Sequence, residues 1–155
     1  MTGHVAARGE SRPAAPRLRL TAPAPRESDL HAAVAAALDV LLLAPAAWTT
    51  FPAGHVALPP AAAAKLSRLG LKRGIPDLLV WHAGRSYGIE LKRPGGRLSQ
   101  TRAVRTRRGG LRVVAGQAET FRRLEAAGMQ IATCESVPAV LAALAGWGVP
   151  LRGWA

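Results

Sequence analysis

The sequence has few aromatic residues, a single cysteine and no long apolar run, and the last two shortages each exclude a class of protein. Cys134 is the only cysteine, which rules out an internal disulfide and fits a reducing cytoplasm. No Cys/His spacing typical of a zinc site occurs. The longest apolar run, 32–47, is interrupted by Asp39 and is shorter than the roughly 18 residues that a membrane span needs. We therefore expect a cytoplasmic protein that does not enter a membrane.

Acidic residues are also scarce, and the resulting charge indicates the kind of partner. Nine Asp and Glu face 21 Lys and Arg, which gives a net charge of +12 and a pI near 11.7. The excess is concentrated, since residues 92–123 hold ten basic residues and one acid, Glu119. A basic stretch of this kind is typical of proteins that bind the phosphate backbone of nucleic acids. A basic protein that binds no nucleic acid is the alternative.

The 155 residues fit one domain preceded by a tail. Residues 1–24 are rich in Arg and Pro and poor in acids, which predicts a disordered basic N-terminal arm. A transit peptide, which has a similar composition, is the alternative. Residues 25–150 carry the periodic apolar patterns of a folded domain. We predict helices at 25–43, 60–69, 117–127 and 136–145, and strands at 48–51, 78–81, 87–91 and 129–134. This order implies an α/β fold.

Two acidic residues stand at related positions in the predicted strand pair. A two-residue turn at Ala83-Gly84 pairs Trp81 with Ser86, and the same register places Asp77 opposite Glu90. Directly opposed residues of an antiparallel pair have Cβ atoms about 4.5–5.5 Å apart. Two carboxylates at that distance repel each other unless a divalent cation lies between them. The register therefore predicts a metal site.

A lysine completes the predicted site. Alternation along a strand places Glu90 and Lys92 on one face, whereas Leu91 points into the core. Phosphodiester hydrolysis needs a metal that activates water and a cation that stabilises the charged transition state. The alternative is an isolated surface Asp and an ordinary Glu-Lys pair on a solvated strand. The Pro76-Asp77 pair at the facing position favours the catalytic interpretation. Proline suits a strand start, which is consistent with Asp77 standing opposite Glu90 in the strand pair.

Three motifs resemble the VRR-NUC family, the virus-type replication and repair nucleases of the PD-(D/E)xK superfamily. They are GIPDLLV from Gly74, GIELK from Gly88 and GRLS from Gly96. The resemblance covers about 27–144 and implies a restriction-endonuclease-like core, in which helices flank a central mixed sheet. It also implies a metal-dependent DNA endonuclease of a bacterial or phage-infected cell. Stand-alone members of this size resemble junction-resolving homodimers, so junction cleavage and a homodimer are further expectations.

The resemblance assigns roles to individual residues. It implies that Asp77 and Glu90 bind Mg²⁺ or Mn²⁺, with the carbonyl of Leu91 as a further ligand, and that Lys92 is the catalytic lysine. The metal-binding glutamate of the family's first helix matches Glu27, for which an exposed first-turn position that favours the helix dipole is the alternative. The family's helix-opening glutamine matches either Gln100 or Gln117. We choose Gln117, because it opens the better helical pattern.

Placing that glutamine at 117 leaves 100–116 as a basic insertion that departs from the family pattern. Gly109-Gly110 can turn a small hairpin between strands at 102–106 and 111–114. We expect the arginines of this hairpin, together with basic residues before it, to contact DNA without reading its bases. The predicted nucleic-acid-binding residues are Lys72, Arg73, Arg93, Arg97, Arg102, Arg105, Arg107, Arg108 and Arg112.

Two functions from other classes compete with a self-sufficient nuclease. One is a non-catalytic nucleic-acid-binding module, and the other is a nuclease subunit that cuts only with a partner. The complete Asp, Glu and Lys set argues against the first alternative. Metal-dependent cutting by the purified chain would favour the self-sufficient nuclease, DNA binding without such cutting would favour the binding module, and cutting only after a partner is added would reveal the subunit.

Overall fold

The computed structural model describes residues 26–51, 58–106 and 108–153, so the predicted N-terminal arm at 1–24 lies outside it. Every predicted helix and strand is present, with each end within two residues of its predicted position. In chain order the elements are α1 (Glu27–Leu41), β1 (Ala47–Thr50), α2 (Pro60–Arg68), β2 (Leu78–His82), β3 (Arg85–Leu91), β4 (Arg102–Arg105), β5 (Leu111–Val114), α3 (Gln117–Ala126), β6 (Gln130–Cys134) and α4 (Val137–Gly146).

Four of the strands form one mixed sheet in the order β1-β2-β3-β6. β2 pairs antiparallel with both β1 and β3, whereas β3 and β6 run parallel. The parallel pair requires a crossover connection, and the segment from Lys92 to Met129 supplies it. The fold is therefore mixed α/β, with helices that flank a mixed four-stranded sheet.

One face of the sheet carries the main core. Leu78, Val80, Tyr87, Ile89 and Leu91 are at most 1% exposed and pack in one cluster with residues of α1 and α4. Leu91 therefore points into the core, as the alternation of β3 predicted. The helix residues of the cluster lie at helical spacing and include Val34, Leu38, Val140, Leu141 and Leu144.

The ends of two helices are held by local hydrogen bonds. At the start of α1, the Asp29 carboxylate accepts a bond of 3.1 Å from the backbone N–H of Arg26. At the start of α4, Ser136 Oγ accepts one of 3.3 Å from Ala139 N–H, so this serine is the N-cap of the helix. Trp147, which follows α4, stacks on Tyr87 with ring centroids 5.1 Å apart. That tryptophan covers the core.

β4 and β5 form a separate two-stranded sheet, as the predicted hairpin requires. The loop between them contains Gly109 in the left-handed region, at φ +81°, where glycine is favoured. None of the helices in the described ranges has the length and apolar character that a membrane crossing requires.

Candidate active site

The hairpin of β2 and β3 brings Asp77 next to the Glu90 end of β3. Its two-residue turn at Ala83-Gly84 has positive φ at both positions, as a type I′ turn requires. The observed pairing of Leu78 with Ile89 confirms the predicted register up to the residue that follows Asp77. Asp77 lies just before β2, and its Oδ2 accepts a hydrogen bond of 2.8 Å from the backbone N–H of Leu91. The side chain is thus held against β3.

Glu90 is the most deeply buried charged residue of the candidate site, at 0% exposure. Its Oε1 accepts hydrogen bonds from Lys92 Nζ, at 2.5 Å, and from the side-chain amide of Gln117. Its Oε2 is also buried and, among the described residues, has no hydrogen-bond partner. A buried carboxylate oxygen without a partner is costly. Oε2 is therefore the clearest place at the site for an additional ligand.

Burial raises the pKa of the Glu90 carboxyl above its ordinary value of 4.5. The hydrogen bond from Lys92 opposes that increase, and the negative charge of Asp77 adds to it. The influence of Asp77 means that the two carboxylates are close enough to repel each other. A divalent cation beside both would remove the repulsion and favour the ionised form of Glu90.

Lys92 connects Glu90 with the first helix. Its Nζ lies 3.9 Å from Oε1 of Glu27, the first residue of α1, whose side chain is 36% exposed. Glu27 therefore faces the predicted site rather than bulk solvent alone, but its direct neighbour there is the ammonium group. An ammonium group has three donors. Lys92 can thus hold both glutamates and still donate to a phosphate oxygen or a water.

Gln117 reaches Glu90 from the start of α3, the position that sequence reasoning preferred over Gln100. The amide of Gln117 is oriented by Ser99, whose backbone N–H donates to Gln117 Oε1 at 3.2 Å. Because this donor occupies the amide oxygen, the amide nitrogen points to Glu90. Gln100 instead donates to the Leu98 carbonyl within its own loop. The structure thus joins Gln117, and not Gln100, to the acidic pair.

Ser99 also caps α3, a role that sequence reasoning missed. The N-cap residue of α3 is Gly116, which offers no side-chain acceptor. Ser99 Oγ accepts from Gln117 N–H at 3.0 Å, and the Ser99 carbonyl accepts from Ala118 N–H at 3.2 Å. A cap from a distant segment leaves no local sequence pattern. The only signal in the sequence that could have indicated Ser99 is that it belongs to the GRLS motif.

Two close contacts fix the segment that carries Asp77. A Cβ added to Gly88 would lie 2.7 Å from Cγ of Pro76, so only glycine lets the proline rest on β3. Gly74 has φ +78°, and an added Cβ would lie 2.9 Å from Thr120 Oγ1. That hydroxyl donates to the Arg73 carbonyl at 3.2 Å. Thr120 thereby ties the loop to α3, a second contact that the sequence did not reveal.

The predicted nucleic-acid-binding residues lie at the surface, except that Arg107 falls outside the described residues. The exposed members are Lys72, Arg73, Arg93, Arg97, Arg102, Arg105, Arg108 and Arg112. Arg93 and Arg97 lie one and five residues after Lys92, and the four described arginines of the hairpin lie beyond Ser99. Basic side chains therefore follow the acidic site along the same connection, and their contact with DNA stays a prediction.

The donor set fits a hard divalent cation. In the part of the chain that the structure describes, no three His, Cys, Asp or Glu side chains gather into a metal-binding group. Mg²⁺ does not require one, because it is commonly held by one or two carboxylates, waters and substrate phosphates. Asp77 and Glu90 supply that minimum.

The chain matches no protein-family model, and neither the curated proteins nor the solved structures contain a match to it.

Proposed function

We propose that the chain is a Mg²⁺- or Mn²⁺-dependent DNA endonuclease of the PD-(D/E)xK type, with the VRR-NUC family as the one it resembles in sequence. The observation that carries the proposal is the buried Oε2 of Glu90, which lacks a hydrogen-bond partner among the described residues. It lies beside a second carboxylate that raises the pKa of Glu90 and a lysine that donates to Oε1. A purely structural carboxylate at full burial would be expected to have both oxygens satisfied.

Asp77 and Glu90 would hold the ion, and the Leu91 carbonyl and Glu27 are the further ligands that we propose. Such an ion, when bound, would neutralise charge on the phosphate and would make a nearby water easier to ionise. The hydrogen bond from Leu91 N–H fixes the Asp77 carboxylate. The Gln117 amide and Lys92 fix the Glu90 carboxylate. Both acids are thus oriented before any ligand arrives, which lowers the cost of binding.

Lys92 has the charge and position to act on the phosphodiester. Its Nζ is held by Glu90 at 2.5 Å, and its side chain is only 13% exposed. An ammonium group so placed can donate to a non-bridging phosphate oxygen and stabilise the charge that develops there. It can also orient the attacking water. We therefore assign Lys92 an electrostatic role rather than that of a general base.

The proposal is tested by incubating the purified full chain with supercoiled plasmid and with linear, flapped and four-way DNA. Cutting that requires Mg²⁺ or Mn²⁺ in the wild type and is lost in Asp77→Ala and Lys92→Ala would support it. Asp39→Asn and Lys65→Ala are matched controls, because both residues are exposed and lie on α1 and α2. DNA binding without metal-dependent cutting in the wild type would overturn the proposal and favour a binding module. Cutting that appears only after a partner protein is added would identify a dependent subunit.

A further inference from the structure

The β4–β5 hairpin is rooted at the candidate active site. At its root, Gly116 N–H donates to Thr101 Oγ1 at 3.2 Å, and Ser99 caps the helix that begins with Gln117. Gly116 packs so closely that an added Cβ would lie 2.3 Å from the Ser99 carbonyl oxygen. Because Gln117 also donates to Glu90, the root of the hairpin and the acidic pair share one residue. Whatever the hairpin binds is therefore held close to the site.

The two faces of the hairpin differ in chemistry. Residues paired in register share a face, and neighbours along a strand alternate. One face, the aliphatic face, consists of Ala103, Arg105, Leu111 and Val113, and the opposite arginine face consists of Arg102, Val104, Arg112 and Val114. Leu111 is 75% exposed and Val113 is 71% exposed. Two large aliphatic side chains at this exposure, on a strand with no cover in the described residues, indicate a binding surface.

The charge of the hairpin restricts what that surface can bind. The segment from Arg102 to Arg112 contains five arginines and no acid. A second copy of the chain would bring the same positive charges together, and like charges at an interface are strongly unfavourable. The charge favours a polyanion as the partner instead. A polyanion that also carries apolar groups would match the arginine face with its charges and the aliphatic face with its apolar groups. Duplex DNA meets this description, because the thymine methyl groups project into its major groove.

We propose that the hairpin enters the major groove of duplex DNA with its aliphatic face against thymine methyl groups. The inference rests on the proposed function, and it adds a base preference that the arginines alone would not give. A two-stranded ribbon fits the major groove, which is about 12 Å wide, but not the minor groove at about 6 Å. Arg102 and Arg112 on the outer face then reach the phosphates that border the groove.

The length of the hairpin sets how many base pairs it can contact. Four residues of antiparallel strand span about 14 Å, which corresponds to about four base pairs at about 3.4 Å each. The aliphatic face can therefore cover about four base pairs. A T-rich preference beside the cut is the expected consequence.

The test measures binding rather than cutting. Fluorescence anisotropy in EDTA compares a duplex of A·T pairs with one in which deoxyuridine replaces every thymidine, which removes only the methyl groups. The wild type is expected to bind the thymidine duplex at least about fourfold more tightly, the value for one buried methyl-sized group. Leu111→Gln/Val113→Ser should bind both duplexes equally. Val40→Ser/Leu69→Gln is the matched control, because these side chains are 63% and 72% exposed and lie outside the hairpin.

Several outcomes would overturn the inference. Equal binding of the two duplexes by the wild type excludes methyl contacts, whatever happens to the variants. A preference that persists in Leu111→Gln/Val113→Ser places the contact elsewhere. A change in molar mass by light scattering, with no methyl effect, identifies a second copy as the partner of the aliphatic face. A protein that prefers thymidine but never cuts refutes only the proposed nuclease, and one that cuts without the preference refutes only this inference.

Discussion

The Asp77 carboxylate accepts a hydrogen bond of 2.8 Å from the backbone N–H of Leu91. Leu91 lies between Glu90 and Lys92, so this bond fixes the first acidic residue against the strand that carries the rest of the site. The side chain of Leu91 meanwhile packs in the core at 0% exposure. One residue thus connects the position of the candidate site to the packing of the sheet.

Removing the negative charge of Asp77 or of Glu90 should weaken metal binding while the fold persists. Asp77→Asn keeps an oxygen that can accept from Leu91 N–H, so its unfolding temperature should change little. Loss of a ligand charge should lower the affinity for Mn²⁺ by at least about 10–100-fold, the range for disturbing even an outer partner of a metal site. Isothermal titration calorimetry measures this, with Asp39→Asn as the control. Wild-type affinity in Asp77→Asn would show that this residue is not a ligand.

Glu27 can act as a metal ligand, as we propose, or only through its contact with Lys92, and the two roles predict different results. If Glu27 acts only through its 3.9 Å contact with Lys92, Glu27→Gln should reduce cutting at most about fivefold, because a partly exposed ion pair contributes about 0–1 kcal/mol. Its Mn²⁺ affinity should then equal that of the wild type. A fall in that affinity of tenfold or more would instead identify Glu27 as a metal ligand.

Lys92→Met should reduce the cutting rate far more than Glu27→Gln does. Methionine keeps much of the length and apolar stem of lysine but provides no charge for the phosphate. We expect at least a 100-fold loss of cutting rate, which corresponds to about 2.7 kcal/mol of transition-state stabilisation. Single-turnover assays at saturating Mn²⁺ measure it, with Lys65→Met as the exposed control. A cutting rate within a few-fold of the wild-type rate would show that Lys92 is not a catalytic residue.

Ser99→Ala should destabilise the protein through the start of α3. The substitution removes the Oγ acceptor for Gln117 N–H, and loss of a capping side chain costs about 1 kcal/mol. For a chain of this size, that cost lowers the unfolding temperature by about 2–4 °C. Ser67→Ala is the matched control in the exposed part of α2, where alanine is the better helix former. Equal unfolding temperatures for both variants would mean that the Ser99 hydroxyl does not contribute to the cap.

Glu90 should make the metal-free protein less stable as the pH rises. Because burial raises its folded-state pKa above 4.5, Glu90 binds its proton more tightly in the folded protein than in the unfolded chain. The contribution of Glu90 to stability is therefore fully present below pH 4.5 and is lost as the pH rises through the folded-state pKa. Urea unfolding in EDTA should show this decline in the wild type and less of it in Glu90→Gln. Mn²⁺ should restore stability mainly at the higher pH. Parallel curves for the two proteins in EDTA would contradict the assignment.

Local sequence patterns were enough to predict the elements and the register of the central hairpin. Apolar periodicity places the helices, and the turn at Ala83-Gly84 fixes the pairing of Leu78 with Ile89. A two-residue turn leaves no freedom in the strand register. The approach of Asp77 to the Glu90 end of β3 follows from that register, because the two residues are only 13 apart in the chain.

Contacts between distant segments could not be read in the same way. The choice of Gln117 over Gln100, the cap that Ser99 provides and the contact of Thr120 with the loop before Asp77 all depend on how the connection from β3 to α3 folds back. None has a period or a turn signature. The sequence by itself determined which residue types are available and how the hairpin pairs them, since those are local properties. Only the tertiary structure decided that Glu90 is fully buried with one oxygen held by Lys92 and Gln117, because burial depends on packing between segments far apart in the chain.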